Sequence, residues 1–277
     1  MRARGGSPYP HLAPAVLLAA LLAAPGALAA PPTQTTLAAS TTTAAQPAQE
    51  AAPAVPAPTV DEIVARFVAA RGGIEKLRSI QTLREEGRIH AGPGRDGLVT
   101  RELKRPGRMR VEFTVQGVTE VFASDGKHGW KVTPLEGAKG PERLPDDEVR
   151  DARESADPDG PLVDWKSKGN QVELVGREAV DGHEAYKLKV TLKTGETLTA
   201  WIDVKSAYLV RTEADRKLRG RTVKLERTFG DYRKTEGILF PHLIEIRTSG
   251  RPQVIRVVVE KIELNPPLAD SRFSPPT

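Results

Sequence analysis

The chain has 277 residues, 41 Lys and Arg against 36 Asp and Glu, a net charge of +5 and no cysteine. Without cysteine there are no disulfides, thiolate catalysis, cysteine-linked lipid or cysteine-based metal sites. The basic residues are interleaved with acids. The densest clusters, Lys104-Arg105 with Arg108 and Arg110, and Arg216 to Arg221, read as solvated strand faces or turns, so no nucleic-acid partner is expected.

Residues 1–29 have the pattern of an export signal. Arg2 and Arg4 give a basic start, Leu12 to Ala24 is apolar apart from Pro14, and Ala27-Leu28-Ala29 offers small residues for cleavage. An apolar run of about 13 residues is short of the roughly 20 that a membrane-crossing helix needs, so cleavage and a soluble exported protein are expected. Loss of Arg2 and Arg4 leaves 39 basic against 36 acidic residues, a balance of +3. Residues 30–58 are Ala, Pro, Thr and Gln with Glu50 as their only charge, a composition that cannot offset the entropy of ordering and reads as a flexible tether. One folded domain is expected over 59–277.

Thr59-Val60-Asp61-Glu62 reads as a helix start, with Thr59 as cap and Glu62 reaching back. Ile63, Phe67, Ala70, Ile74 and Leu77 then recur at helical spacing, and Gly72-Gly73 divides a long piece from a short one. Almost everything after that is strand. Met109, Val111, Phe113 and Val115 alternate with Arg108, Arg110, Glu112 and Thr114, the pattern of a half-buried strand. Asp125-Gly126 and Asp181-Gly182 are hairpin turns, and Thr194-Gly195 is a third. About eleven strands result, joined mainly by hairpins. The stretch from Pro134 to Gly169 differs, being rich in Pro, Gly and charge, with short helices expected at Asp146–Ala156, capped by Asp146, and at Pro161–Lys166.

Little in the sequence carries covalent chemistry. The histidines at 11, 90, 128, 183 and 242 show no metal-ligand spacing and read as exposed strand or turn residues. Nucleophile elbow, phosphate loop and dinucleotide fingerprint are absent, Ser124 has a turn role, and adjacent Glu85 and Glu86 point to opposite faces of a strand. No catalytic residue, metal or cofactor is expected. What remains is apolar surface. A curved sheet covered by a few short helices leaves a concave apolar cavity wherever the cover is incomplete. The bulky candidates for its wall are Met109, Val111, Phe113, Phe122, Trp130, Tyr186, Leu188, Val190 and Trp201, with Leu162, Val163 and Trp165 as a plug from the long connection. On this reading a Glu at Val111 or Leu188 abolishes ligand uptake in a protein that still folds.

The ordered set Arg105–Glu112 (RPGRMRVE), Ser124–Trp130 (SDGKHGW), Asp157–Trp165 (DPDGPLVDW), Gly182–Leu188 (GHEAYKL), Trp201-Ile202-Asp203, Gly237–Pro241 (GILFP) and Glu263–Leu268 (ELNPPL) resembles the outer-membrane lipoprotein-sorting proteins, the LolA-like periplasmic carriers. The resemblance spans Thr59 to Phe273. It implies a mainly β fold, a half-closed antiparallel barrel with short helices over the concave face, and a cavity for the acyl chains of lipoproteins or other lipids. It further implies a soluble, monomeric, periplasmic carrier meeting sorting components of the inner and outer membranes. An envelope sensor or structural domain that binds a protein partner is the alternative.

Overall fold

A computed structural model describes residues 57–218 and 221–275; the expected signal and all of the expected tether but residues 57 and 58 lie outside the described residues. Helix α1 spans Val60–Ala70 and starts on the expected capping box. Thr59 Oγ1 accepts the Glu62 N–H at 3.3 Å, and Glu62 Oε2 accepts the Thr59 N–H at 2.7 Å. Its buried stripe is Ile63, Val64 and Phe67. The chain then breaks at Gly72 and Gly73 and resumes as α2, Ile74–Ser79. Gly72 has φ +118°, and a Cβ there would stand 2.5 Å from the Gly237 carbonyl oxygen. Only glycine allows this approach, and the Leu239 N–H donates to the Arg71 carbonyl beside it at 3.0 Å. The two helices are thereby pinned to one end of the sheet.

Thirteen antiparallel strands form that sheet. They are β1 Thr82–His90, β2 Asp96–Lys104, β3 Arg108–Val115, β4 Val118–Ser124, β5 Gly129–Val132, β6 Glu142–Arg143, β7 Gln171–Val180, β8 His183–Thr191, β9 Thr197–Asp203, β10 Leu209–Leu218, β11 Arg221–Thr235, β12 Ile238–Thr248 and β13 Ile255–Leu264. Their order is β6-β5-β4-β3-β2-β1-β13-β12-β11-β10-β9-β8-β7. Two meanders are therefore joined where β1 pairs with β13, leaving β6 and β7 as the free edges. These edges are consecutive in the chain, so the segment from 144 to 170 runs from one free edge to the other. Its helix α3, Asp146–Ser155, packs on β3, β4 and β5.

Four expectations need correction. The sheet has thirteen strands, not eleven; the added ones are β2 and the two-residue β6. Strand β2 hides because its alternating set Gly97, Val99, Arg101, Leu103 contains a glycine and an arginine, which spoil the period-2 apolar signal. The chain from Pro161 to Lys166 forms turns rather than a helix, with Asp164 at φ 53°, outside the helical region. Asp146 is the first residue of α3 rather than its cap; Pro145 holds the cap position with no side-chain hydrogen bond. Lastly, His242 is buried rather than exposed, with Nδ1 2.7 Å from the Val259 carbonyl oxygen.

The sheet's two faces are distinguished by register. Met109, Val111 and Phe113 of β3 and Phe122 of β4 enter the main core, where Phe113 and Phe122 meet edge to face at 6.5 Å. The alternate set, Arg110, Ala123 and Trp130, lies on the outer face. There the C-terminal 3-10 turn Asp270–Phe273 covers it, and Trp130 Nε1 donates to the Phe273 carbonyl at 3.1 Å. No helix among the described residues is long and apolar enough to cross a membrane.

Candidate functional site

Helix α3 fills the inner face over β3–β5 with Val149 and Ala152, followed by its C-cap Ala156, and α1 lies toward β7. Between them, over β9–β12, the cover is incomplete and a cavity of about 250 Å³ remains. Its sheet wall is Leu198 and Ala200 of β9, Leu209, Thr212 and Ala214 of β10, Arg227, Phe229 and Tyr232 of β11, and Leu239, Phe240, Pro241 and Ile244 of β12. Leu83 and Glu85 of β1 and Arg101 of β2 close the far side. Phe67 of α1, its C-cap Arg71, and residues 154, 155 and 157–162 roof it. Small side chains at Ala200 and Ala214, where the opposing elements do not descend to meet them, leave the space unfilled.

The roof is held by polar stitching as well as by the packing of Ala156 and Leu162 into the main core. Arg71 Nη1 donates to the Asp159 carbonyl at 2.7 Å and Nη2 to the Pro158 carbonyl at 3.3 Å. Arg105 Nη2 pairs with the buried Asp159 carboxylate at 2.6 Å, while its Nε donates to the Ile80 carbonyl at 2.7 Å. Lys168 Nζ reaches Asp157 Oδ2 at 2.5 Å and the Gly160 carbonyl at 2.9 Å. Three cations from three separate segments, the end of α1, the β2–β3 turn and the turns before β7, thus tie down residues 157–160. Burial lowers the Arg71 pKa, opposed by Tyr232, Asp159 and Asp157. Burial also raises the Tyr232 phenol, whose hydroxyl donates to the Leu209 carbonyl.

At one end of the roof, α3 meets the strands through a second polar group. Asp151, Glu154 and Glu196 bring carboxylate oxygens within 4.8 Å of one another. Thr194 Oγ1 donates to Glu154 at 2.8 Å, and Arg150 Nη2 pairs with Glu196 at 3.0 Å. Arg216 Nη1 lies 3.9 Å from Glu196, and this guanidinium is 3% exposed. Burial, offset in part by Arg216, pushes Asp151 up to about 6. Burial also pushes Glu154 up to about 7, against the Thr194 hydrogen bond and with added repulsion from Glu196 and Asp151. Arg150 and Arg216 offset two of the three acids, so the fully ionised group carries one net negative charge.

The residues expected to line a cavity are distributed as follows. Leu162 is on the cavity wall. Met109, Val111, Phe113, Phe122, Val163, Tyr186, Leu188 and Val190 are buried in the main core and do not line the cavity, although Leu188 and Val190 pair with its wall residues Ala200 and Leu198, and Trp165 packs against the same core half-buried. Trp130 and Trp201 are buried on the outer face, Trp201 in a separate cluster with Val180 and Ala185 and with Nε1 donating to Glu178 at 2.6 Å. The expected effect of charging Val111 or Leu188 changes accordingly: both are 0% exposed within filled packing, so a Glu there acts on folding before uptake. Sequence reasoning missed Arg101, Arg227, Phe229 and Tyr232. The signal available was an apolar/polar alternation through Leu225, Arg227 and Phe229 that puts a charge in an apolar row.

No protein-family profile and no curated protein sequence matches the chain. Solved structures do match in fold. A DUF1329 family protein from Desulfovibrio piger superposes with a TM-score of 0.53 at 16% identity, covering 78% of this chain and 97% of that one. A LolA superfamily protein from Nitrosomonas europaea gives 0.51 at 17%, covering 79% and 98%. An outer membrane lipoprotein-sorting protein domain from Vibrio parahaemolyticus gives 0.50 at 12%, covering 78% and 97%. The half-open antiparallel sheet with helices on its concave side is thus the fold of the LolA-like proteins, as the ordered motifs implied.

Proposed function

We propose that the protein is a non-catalytic periplasmic carrier that takes an acyl chain, of a lipoprotein or another lipid, into the concave cavity for transfer toward the outer membrane. The observation that carries this reading is the cavity itself: an apolar wall left uncovered on the concave face, under a roof stitched by Arg71, Arg105 and Lys168. Burial of each methylene stabilises the complex by about 0.8 kcal/mol, so a chain of roughly eight methylenes gains about 6 kcal/mol before ordering costs. Release then requires the roof to lift. Polar ties suit that task, because water can replace each of them as it opens. The export pattern of residues 1–29 agrees with a periplasmic setting, and the fold's likeness to a lipoprotein-sorting domain agrees with the class of cargo.

Native mass spectrometry of the gently purified protein, with and without added phospholipid, fatty acid or acylated peptide, tests the reading. Adducts of lipid or acylated-peptide mass support it and identify the cargo. A bare mass that persists after every addition overturns it in favour of a domain that binds a protein partner.

A further inference from the structure

Where α3 meets the sheet, five charged side chains are packed into one junction. Arg150, Asp151 and Glu154 come from α3, Glu196 from the turn before β9 and Arg216 from β10. Two guanidiniums face three carboxylates whose oxygens lie within 4.8 Å of one another. Fully ionised, the group keeps a negative charge without a counterion in a partly buried place, which is costly. Glu154 Oε2 and Glu196 Oε2 are buried with no hydrogen-bond partner among the described residues. The same is true of Nε and Nη2 of Arg216, a side chain 3% exposed. A proton on Glu154 or Glu196 removes the excess charge and turns an orphan acceptor into a donor for the neighbouring carboxylate.

The other charges that reach this group are Asp147, on the exposed side of α3, and Arg227 of β11, close to Arg216. Arg153 packs instead against Gly107 in the β2–β3 turn, and the side of α3 toward β3–β5 is apolar. The junction also joins the two sides of the cavity. Glu154 and Ser155 belong to the roof, and the chain runs on from them into residues 157–162. Just beyond Glu196, Leu198 and Ala200 of β9 are wall, as are Thr212 and Ala214 just before Arg216 on β10. The opposite side of the roof differs. There Arg105 and Lys168 meet Asp157 and Asp159 in equal number, and Arg71 binds main-chain carbonyls, so that side needs no proton to balance it.

We propose that the junction is a proton-operated latch on the roof. With a proton held among Asp151, Glu154 and Glu196, the α3 end stays down on β9 and β10 and keeps the ligand in; loss of that proton loosens it and lets the ligand leave. This inference rests on the carrier reading and adds to it what opens the roof. In the open roof the acids meet water and ionise at ordinary carboxylate values, so closing takes up a proton. Closure is therefore favoured at low pH and weakens as pH rises through about 6 to about 7, where burial places Asp151 and Glu154.

Release of decanol, an alcohol that does not ionise in this range, tests the latch without titrating the ligand. Its rate of exchange between bound and free, read by NMR exchange spectroscopy on isotope-labelled decanol, should rise about tenfold or more from pH 5 to pH 8. Glu154→Gln should keep release slow at both values, and Asp151→Asn should reduce the dependence. A rate that does not change with pH, or a rise of full size in both variants, overturns the latch and leaves the carrier reading intact. Should Glu154→Gln not fold, Asp151→Asn and the unmodified protein still decide. Failure of decanol to bind at any pH counts against the carrier reading instead, and hydrogen exchange of the empty protein then tests the latch alone. Residues 146–162 should exchange by local opening, with protection that falls about tenfold or more from pH 5 to pH 8 after correction for intrinsic rates. Exchange there only through the global unfolding that exposes β12 and β13 overturns it.

Discussion

The junction of α3 with the sheet makes stability depend on pH in an unusual direction. Asp151 is pushed up to about 6 and Glu154 up to about 7, both chiefly by burial. In the unfolded chain they ionise near 3.9 and 4.3. Between those values and neutrality the folded state therefore holds more protons than the unfolded state, and stability falls as pH rises. The contribution is fully present below about pH 4 and is lost as pH rises through the folded values, so it is gone by about pH 8. One pKa unit corresponds to about 1.4 kcal/mol, which gives roughly 3 kcal/mol for each group taken alone. Each raises the other, and both keep partial contact with water, so the pair together is worth on the order of 3 kcal/mol. Most of that falls between pH 5 and pH 8. For a domain of this size, 1 kcal/mol moves the midpoint by roughly 2–4 °C, so the melting temperature at pH 5 should exceed that at pH 8 by about 5–10 °C. Thermal melts followed by circular dichroism across this range measure it directly. Glu154→Gln keeps an acceptor for Thr194 while removing the charge, and should flatten most of the slope and raise the pH 8 midpoint. A melting temperature that is flat or rises toward pH 8, or an unchanged slope in Glu154→Gln, refutes this account of the junction.

Other consequences follow from the roof, the wall and the core. Arg105→Ala removes the direct ion pair of the Asp159 carboxylate, 3% exposed, and leaves Lys168 at 3.9 Å. It should cost about 3 kcal/mol and speed hydrogen exchange at residues 157–161; unchanged exchange there would show that the ties do not hold the roof. Ala214→Leu extends a side chain into the cavity and should weaken binding of a dodecyl chain about tenfold or more at an unchanged or higher melting temperature, read by titration calorimetry. Val111→Glu or Leu188→Glu buries a carboxylate in filled packing and should destabilise by about 4 kcal/mol or more, seen as a loss of cooperative unfolding. A folded Val111→Glu protein that has lost uptake would instead place the ligand against β3.

The fold was largely legible because its signals are local. The Thr59/Glu62 capping box, the glycine pair after α1, the alternation through Met109–Val115 and the Asp181-Gly182 turn depend only on near neighbours, and each forms as the residues dictate. Strand β2 was obscured by Arg101, whose inward direction makes sense only once Glu85 lies opposite it on β1. The cavity was less legible for a different reason. Bulk in a sequence marks where space is filled, so Phe113, Phe122 and Leu188 mark core. A cavity forms where small residues such as Ala200 and Ala214 face elements that do not reach them, and that distance is set by how α1 and α3 dock. The same holds for Arg227: in the sequence it is one charge on an alternating strand, and only the fold places it beside the half-covered cavity.

The central claim is that an acyl chain lies between the roof at 154–162 and the wall formed by β9–β12. Photo-crosslinking with a diazirine-bearing fatty acid, followed by peptide mapping, tests it most directly. The account predicts labels on Leu162, Phe229, Leu239 or Phe240 that unlabelled laurate displaces. Labels confined to the outer face, around Trp130 or Trp201, or labels that laurate does not displace, would contradict it.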